Sequence, residues 1–478
     1  MKSKKKYYIH ACISVALMLL FRFIPPIAPL TTLGMTILGI FLGALWGWVN
    51  CDTIWPSVLA VLLVGLTEYS EKGVAGAITA VCNNANVQLV IFIMILGALL
   101  TTTGCSNLIA KKMITAKSLR GHPWRLSIVL VMAAFITAAC KCSFPGMFLC
   151  WDFVYTICKE VGYTKEDKWA KMMVCAVPFG TIVGMSTLPI SFSAIAGFGY
   201  LAQASENAYG FDAARYTLLG VPFGLVIMAI FFVLLRFGVN PDVSRLKKPI
   251  DLGESESFTS RQKFALGLVL TMIVLVMLPS ILPKTWGITA FLSGAGNLGV
   301  ILILLAVGTF VRDEKGKPYF SVNDLSKGGL LWEPIFMVAA AIYVGGALSS
   351  GGTGFQTLCS GLFGDALSSM SPYLFLVVIS VIAAVVTNVI NNAIVLLLSV
   401  PLAYPFAVAC GANPAVMTVL LCFACNLGLI LPCASPTGAI TNANEWVTTR
   451  SVFSIGGLGL LAFLLATCVM IPIANLIY

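Results

Sequence analysis

Apolar runs of bilayer-spanning length recur from one end of this chain to the other. Of its 478 residues, 59% are hydrophobic and only 10% are charged, whereas soluble proteins carry about 25% charged residues. A soluble surface this poor in charge would aggregate, so lipid is the natural solvent for most of the chain. Because lipid offers the backbone no hydrogen-bond partners, the spans must be helices. The sequence therefore predicts an all-α polytopic membrane protein.

Most Lys and Arg residues, 24 of 29, lie in a few segments between the apolar runs. They cluster at the N-terminus, in 111–125, 159–171, 236–263 and 312–327, and at Arg450, while 328–449 has none. Basic loops stay on the cytoplasmic side of a membrane, so this distribution places the clusters and the N-terminus inside. About eleven spans agree with it, namely 8–24, 31–49, 54–68, 88–107, 170–198, 214–236, 264–282, 288–311, 333–350, 415–440 and 452–477.

Two segments do not fit as single spans because a polar stretch interrupts each of them. In 126–159 the interruption is Lys141-Cys142-Ser143, and in 372–410 it is 387–392. An apolar arm of about 13 helical residues rises about 20 Å, which is short of the ~30 Å hydrocarbon core. By charge, both ends of each segment lie on one side of the membrane. We therefore predict two re-entrant hairpins whose tips lie at mid-membrane.

The second half of the chain resembles the first at an offset of about 249 residues. Gly97-Ala98-Leu99 meets Gly346-Ala347-Leu348, and the two hairpin tips coincide. With the first span set aside, each half holds five spans plus one hairpin. Because five is an odd number of crossings, the second copy is inverted relative to the first. The predicted organisation is a first span plus the first repeat in 1–238, a cytoplasmic linker in 239–263, and a second, inverted repeat in 264–478.

Two of the predicted helices are broken by polar residues and proline. The stretch 180–191 contains Ser186-Thr187-Leu188-Pro189, and 431–438 contains Ala434-Ser435-Pro436-Thr437. Proline removes a helical N–H, and unwound backbone at membrane depth survives only inside protein or beside a watery cavity. The half-helix that restarts after a break points its positive end inward, which favours an anion. Broken helices that meet near the midplane are typical of secondary transporters.

The two tips and the two breaks together supply the candidate site. The predicted anion ligands are the polar and proline residues of these four elements: Lys141, Cys142, Ser143, Ser186, Thr187, Asn391, Asn392, Ser435, Pro436 and Thr437. A second set, at the second tip and break, is the predicted cation site: Thr387, Asn388, Asn391, Asn392 and Ala434. A charge such as Lys141 at the bilayer centre costs about 2.5–3.5 kcal/mol. Lys141 therefore binds the anion, or it snorkels to the cytoplasm, or it pairs with Asp152.

These motifs resemble those of the divalent-anion/sodium symporter family, which belongs to a wider ion-transporter superfamily. The likeness shows in 39–55, in the two hairpins, and most clearly in 387–401 with 431–440. The family has a Ser-Asn-Thr motif at each tip and a Thr-Pro-Pro-like break in each partner helix. Here the second tip, Asn391-Asn392-Ala393, keeps the central Asn, and the first tip keeps only the hydroxyl of Ser143.

The resemblance implies a homodimer in a bacterial inner membrane that carries di- and tricarboxylates or sulfate. It also implies an elevator motion of a transport domain against a fixed scaffold, with sodium as the coupling ion. No other cofactor and no nucleic-acid partner is expected. Because an ammonium group at Lys141 repels sodium, we expect the first sodium site to be absent. Anion exchange, proton coupling or reduced sodium coupling would follow.

Other functions stay open at this point. A sodium/proton antiporter or an oxyanion permease of the same superfamily is one alternative, although an antiporter needs a buried carboxylate that neither tip nor break has. A membrane-embedded enzyme is the alternative from another class. An enzyme needs a catalytic histidine, a carboxylate pair or a metal set, and the only histidines, His10 and His122, lie near the cytoplasmic face in the predicted topology. We expect no enzyme.

The substitution Lys141→Ser tests whether this ammonium group binds the anion. We expect the KM for the anion to rise about tenfold or more, because a hydrogen bond to a charged group contributes about 1.5–3 kcal/mol. The matched control is Lys159→Ser, at the predicted cytoplasmic end of the same hairpin, which should leave the KM unchanged. Unaltered transport by Lys141→Ser would assign the lysine to snorkelling or pairing.

Overall fold

The computed structural model describes residues 4–478 apart from 116–118, 120, 141–142, 248–256, 284, 313–315, 317, 356, 359–360, 362–368, 390–391 and 433. Within this part of the chain the regular structure is helical, and strand-like pairing is limited to a single bridge between Arg312 and Pro318. The all-α prediction is confirmed. Of the candidate site residues, Lys141, Cys142 and Asn391 lie outside the described residues.

Helices of the first half include two, Gly73–Cys82 and Cys105–Ile114, that the predicted spans do not contain as helices of their own. In chain order the helices are α1 (Lys4–Leu20), α2 (Thr32–Asn50), α3 (Ile54–Gly65), α4 (Gly73–Cys82), α5 (Ala85–Thr102), α6 (Cys105–Ile114), α7 (Pro123–Ala139), α8 (Ser143–Val161), α9 (Lys168–Thr187), α10 (Phe192–Ala204) and α11 (Ala213–Leu234). Side-chain caps fix several of the starts. Asp212, for example, accepts hydrogen bonds from the backbone N–H groups of Ala214 and Arg215 and so begins α11.

The second half continues in the same way beyond the linker. Its helices are α12 (Ser260–Ile281), α13 (Gly287–Phe310), α14 (Val322–Gly329), α15 (Trp332–Ser349), α16 (Pro372–Val386), α17 (Asn392–Ala409), α18 (Pro414–Ala424), α19 (Pro436–Asn442) and α20 (Thr449–Ile477). A capping box between Thr259 and Gln262 starts α12, and another between Thr448 and Ser451 starts α20.

Seven helices in the described ranges are long and apolar enough to cross a bilayer, or eight if the bent pair α4 and α5 forms one span. The shorter apolar helices include α7, α16 and α18. Helices α7 and α16 are the first arms of the two hairpin segments, and α18 is the first part of a broken helix. They are short because a polar stretch interrupts each apolar run. The multi-pass architecture is thus confirmed, while the number of eleven crossings, the inverted repeat and the repeat boundaries stay predictions.

Each predicted hairpin segment contains a pair of packed helices, and its re-entry into the membrane from one side stays a prediction. Residues 140–142 connect α7 to α8, residues 387–391 connect α16 to α17, and the two helices of each pair pack against each other. A proline in the first turn starts each first arm, Pro123 in α7 and Pro372 in α16, where its missing N–H removes no intrahelical bond.

The two predicted breaks are present, but their limits differ from the prediction. Helix α9 continues through Thr187, so the first unwound stretch covers only 188–191. Helix α18 already ends at Ala424, so the second stretch, referred to below as 425–435, covers the described residues 425–432 and 434–435. Proline and hydroxyl residues therefore mark where a break ends better than where it begins. Gly180 and Gly184, predicted to belong to the first break, lie inside α9 and pack against α7.

Gly184 gives the clearest test of the packing between α7 and α9. A Cβ atom at this position would lie 2.2 Å from the carbonyl oxygen of Phe135. We expect Gly184→Ala to lower the melting temperature of the purified protein, because overpacking costs about 1–3 kcal/mol. The control is Gly457→Ala in α20, where a Cβ would meet none of the described residues within 4 Å. The control should melt no lower than the natural protein because Ala favours helix over Gly, and equal melting of both variants would refute the contact.

Candidate functional site

Thr387 and Asn392 fasten the tip of the second hairpin to the unwound segment 425–435. The Thr387 hydroxyl donates a hydrogen bond of 2.5 Å to the carbonyl oxygen of Cys425. The Asn392 amide nitrogen donates to Thr387 Oγ1 at 2.9 Å and to the carbonyl oxygens of Cys425 and Ala434 at 3.2 Å each, in the amide orientation that its partners require. Gly428 permits this approach, because a Cβ there would lie 2.5 Å from the Asn392 amide.

Asn388 fastens the middle of the same unwound segment. Its Oδ1 accepts a hydrogen bond of 2.9 Å from the backbone N–H of Ile430, and its Nδ2 donates to the Ala384 carbonyl at 2.8 Å. Asn388 is 6% exposed, so its partners are shielded from water. A buried backbone group left without a partner costs about 1–3 kcal/mol. Asn388 therefore stabilises the end of α16 and the break at once.

Two further side chains form hydrogen bonds at this break. Ser435 accepts from the backbone N–H of Gly438 at 2.9 Å, which caps α19, and its hydroxyl donates to the Gly428 carbonyl. Asn442 donates to the Gly438 carbonyl at 2.9 Å and lies 3.3 Å from that of Ile430. Several backbone groups of the break thus have side-chain partners inside the protein.

The two broken helices meet where Ser186 contacts α18 and its unwound end. Asn426 Nδ2 donates to Ser186 Oγ at 2.6 Å and to the Cys422 carbonyl at 3.1 Å, while Ser186 Oγ donates to the same carbonyl at 3.0 Å. Tyr216 of α11 donates to the carbonyl of Ser186. The sequence analysis missed Asn426. Its signal was a single amide in the otherwise apolar stretch 419–431.

The first hairpin joins this assembly along α9 and at its far end. Arm α7 packs on α9 through Val131 and Phe135. At the far end of α8, Asn444 donates to the Tyr155 hydroxyl at 2.7 Å, and Lys165 pairs with Glu445. These contacts tie the first hairpin and the start of α9 to the loop that follows α19.

The centre of the second half carries no formal charge. No Asp, Glu, Lys or Arg occurs between Asp365 and Glu445. Outside the spans, the backbone N–H of Thr164 lowers the pKa of Asp167, which therefore stays ionised near neutral pH. Asp167 precedes α9, so about 30 Å of helix separates it from the first break. A negative solute at the breaks thus meets no negative side chain from the second tip or the second break.

Most of the predicted anion ligands that the structure describes have protein partners. The hydroxyls of Ser186 and Ser435 bond to backbone groups in the second half, and Thr187 donates to Val183 of its own helix at 3.0 Å. In the described part of the chain, the hydroxyls of Ser143 and Thr437 make no hydrogen bond. Pro436 is exposed and begins α19. The first group holds the backbone, whereas Ser143 and Thr437 are the described candidates whose hydroxyls have no protein partner.

The described members of the predicted cation set lie together. Thr387, Asn388, Asn392 and Ala434 meet at the junction of the second tip and the second break. They bring a hydroxyl oxygen, two side-chain amides and a backbone carbonyl to one place. Oxygen ligands of this kind suit a small hard cation, and unwound carbonyls beside broken helices coordinate Na⁺ in transporters.

Comparison with known proteins gives a family and a set of relatives. Residues 4–422 match the model of a family described as citrate transporter. Over 311 residues the chain is 23% identical to the sodium-dependent dicarboxylate transporter SdcS of Staphylococcus saprophyticus, a match that covers 62% of this chain and 57% of that protein. A protein of the same name from Staphylococcus aureus strain USA300 is 23% identical over 300 residues, covering 61% and 56% of the two chains. The match spans less than two thirds of the length of these relatives.

Two solved structures resemble the fold. One is the Alcanivorax borkumensis YdaH transporter, with a TM-score of 0.56, 12% identity, and coverage of 84% of this chain and 89% of that one. The other is Neisseria gonorrhoeae MtrF, from a class of antimetabolite efflux pumps, with a TM-score of 0.57, 13% identity and coverage of 98% and 95%. At such low identity the likeness concerns the fold alone.

A double-mutant cycle tests the contact between the two breaks. We expect Ser186→Ala and Asn426→Leu each to lower the stability of the purified protein. Because both changes remove the same hydrogen bond, their effects should be less than additive, with a coupling energy of about 0.5–3 kcal/mol. Additive losses, measured as shifts in chemical unfolding, would show that the two side chains do not interact. The pair Ser143→Ala and Asn426→Leu, whose members share no described contact, supplies the additive control.

Proposed function

The chain belongs to the citrate transporter family, and from this premise we propose that it carries small di- and tricarboxylate anions across the membrane as a secondary transporter. One observation carries the proposal: the second hairpin tip and both broken helices form one hydrogen-bonded polar centre through Asn392, Asn388 and the Ser186–Asn426 pair. Unwound backbone at a polar centre between interrupted helices is where transporters bind their substrates.

The proposed anion ligands are two hydroxyls that have no described partner, together with Lys141, which lies outside the described residues. In the proposed site, Lys141 and Ser143 of the first tip and Thr437 of α19 face the solute, while Ser186, Thr187 and Ser435 hold the backbone around it. Pro436, Cys142 and Asn391 complete the walls. A carboxylate accepts hydrogen bonds only, so hydroxyl, amide and ammonium donors match it. Sulfate has the same preference and is the weaker candidate, because the family and the relatives are described by carboxylate substrates.

Sodium is the proposed coupling ion, bound at the second tip. With its amide oxygen turned towards Thr387, Asn392 would add a further oxygen to those of Thr387, Cys425 and Ala434. With its amide nitrogen turned towards Thr387, the Asn392 side chain instead donates hydrogen bonds to these same oxygens and so takes the place of the ion. Rotation of one amide therefore supports both an ion-bound and an ion-free state. Lys141 takes the place of a sodium ion at the first tip, which reduces sodium coupling or favours exchange.

An elevator-type motion is the proposed transport step. The hairpins and broken helices are bound to one another by the contacts described above, which supports their moving as one body against the remaining helices. We propose that the protein is a homodimer in a bacterial inner membrane. Its N-terminus lies in the cytoplasm in this proposal, because basic loops stay on that side of a membrane.

The matched family and the relatives are transporters, so the prediction that the chain is not an enzyme is confirmed. An antiporter with a titrating carboxylate at the second tip or second break is disfavoured, because 366–444 contains no acidic residue.

Counterflow into proteoliposomes tests the proposed function. Vesicles loaded with unlabelled citrate or succinate should accumulate the labelled anion transiently and saturably, and excess sulfate should compete weakly. Replacing sodium by choline should reduce uptake without abolishing exchange. Flux that rises linearly with concentration would indicate a channel, and an absolute requirement for two sodium ions would refute the role of Lys141. Asn392→Ala should abolish accumulation, whereas the control Asn83→Ala, an exposed residue that ends α4, should not.

A further inference from the structure

A cavity of about 320 Å³ lies apart from the candidate site, between α1, α2 and α3. It is lined by Arg22, Thr32 and Glu68 and by apolar side chains that include Leu19, Ile40 and Leu66. This volume is within the range of about 300–1,000 Å³ that small-molecule sites occupy. The cavity therefore has room for a polar group of several atoms beside apolar side chains.

Two opposite charges line this cavity without pairing. Arg22 and Glu68 form no ion pair in the part of the chain that the structure describes, and Arg22 instead lies 5.6 Å from the centre of the Phe23 ring. A guanidinium group prefers phosphate or carboxylate, while a carboxylate accepts hydrogen bonds from an ammonium group. A cavity that holds both charges apart is complementary to a ligand that carries both signs.

The surroundings of the cavity place it at the edge of the apolar layer. Leu19 and Leu66 line it and are 42% and 67% exposed, and Phe23, next to Arg22 in the sequence, is 75% exposed. Exposed apolar side chains on spanning helices meet lipid acyl chains. Helix α2 begins at Thr32, which also lines the cavity, so the positive end of this helix lies beside it. Two sources of positive charge thus adjoin the cavity, with Glu68 as the negative group.

We propose that this cavity binds the headgroup of an aminophospholipid, phosphatidylethanolamine. Its phosphate lies at Arg22 and the start of α2, its ammonium group donates to Glu68, and its acyl chains cover Leu19 and Leu66. Phosphatidylglycerol offers the phosphate without the ammonium group. Phosphatidylcholine offers a trimethylated nitrogen that has no hydrogen to donate. The site therefore selects ethanolamine over both, and it does so independently of the transported anion.

Native mass spectrometry of the purified full-length protein, titrated with each of the three lipids, tests this assignment. We expect phosphatidylethanolamine to bind about fivefold more tightly than the other two, the range that partly exposed ion pairs allow. Glu68→Gln should lower its affinity to that of phosphatidylglycerol and leave phosphatidylglycerol binding unchanged. Arg22→Gln should weaken both lipids. The controls Glu71→Gln and Lys72→Gln, neighbouring charges that do not line the cavity, should change neither.

Three outcomes would overturn the proposal. The first is equal affinity of the natural protein for the three lipids, and the second is an ethanolamine preference that survives in Glu68→Gln. The third is displacement of the lipid by equimolar glycerophosphoethanolamine, which would assign the cavity to a soluble zwitterion. Glu68→Asp keeps the charge and should keep the preference, so a loss in both Glu68 variants would indicate a structural role only.

Discussion

Unwound backbone at membrane depth must find its hydrogen-bond partners inside the protein, and the centre of this structure depends on that requirement. Each unpaired group would cost several kcal/mol in lipid. In 425–435, Asn388 pairs with the N–H of Ile430, and Thr387 and Asn392 occupy the carbonyl of Cys425. The second hairpin therefore lies where the second break needs donors and acceptors. Neither element is stable at this depth without the other.

This requirement also decides which groups remain for a solute. Ser186 and Ser435 are buried polar residues of the kind that line binding sites, yet their hydroxyls bond to Cys422 and Gly428. In the proposed site they would act on a solute only through the backbone that they hold in place. That proposal leaves recognition to the unpartnered hydroxyls, to the residues of the first tip, and to the absence of acidic residues in 366–444.

Interruptions of a helical pattern can be predicted from sequence, but the partners that compensate for them cannot. Both hairpins and both breaks follow from polar residues in apolar runs. Gly180 and Gly184 were wrongly included in a break. A glycine in a helical pattern marks either an unwound turn or a close contact with another helix, and only the position of α7 shows that these two glycines allow a close contact. A single amide in an apolar stretch marked Asn426, but its role could not be predicted because its partner Ser186 lies 240 residues away. A contact across that distance leaves no local pattern that identifies the partner.

The first tip has a lysine and the second tip has no charged residue, and charge balance explains this difference on the proposed mechanism. A divalent anion at a neutral centre of low dielectric needs two positive charges to cross at small electrostatic cost. One sodium ion at the oxygens of Thr387 and Ala434 and one ammonium group at Lys141 supply them. The sodium ion leaves with the substrate, but the ammonium group is covalently attached. The empty carrier would therefore return with an unbalanced charge in the membrane, whereas a carrier that returns with a second anion stays balanced. Replacing a sodium ion by a lysine thus favours exchange over net uptake.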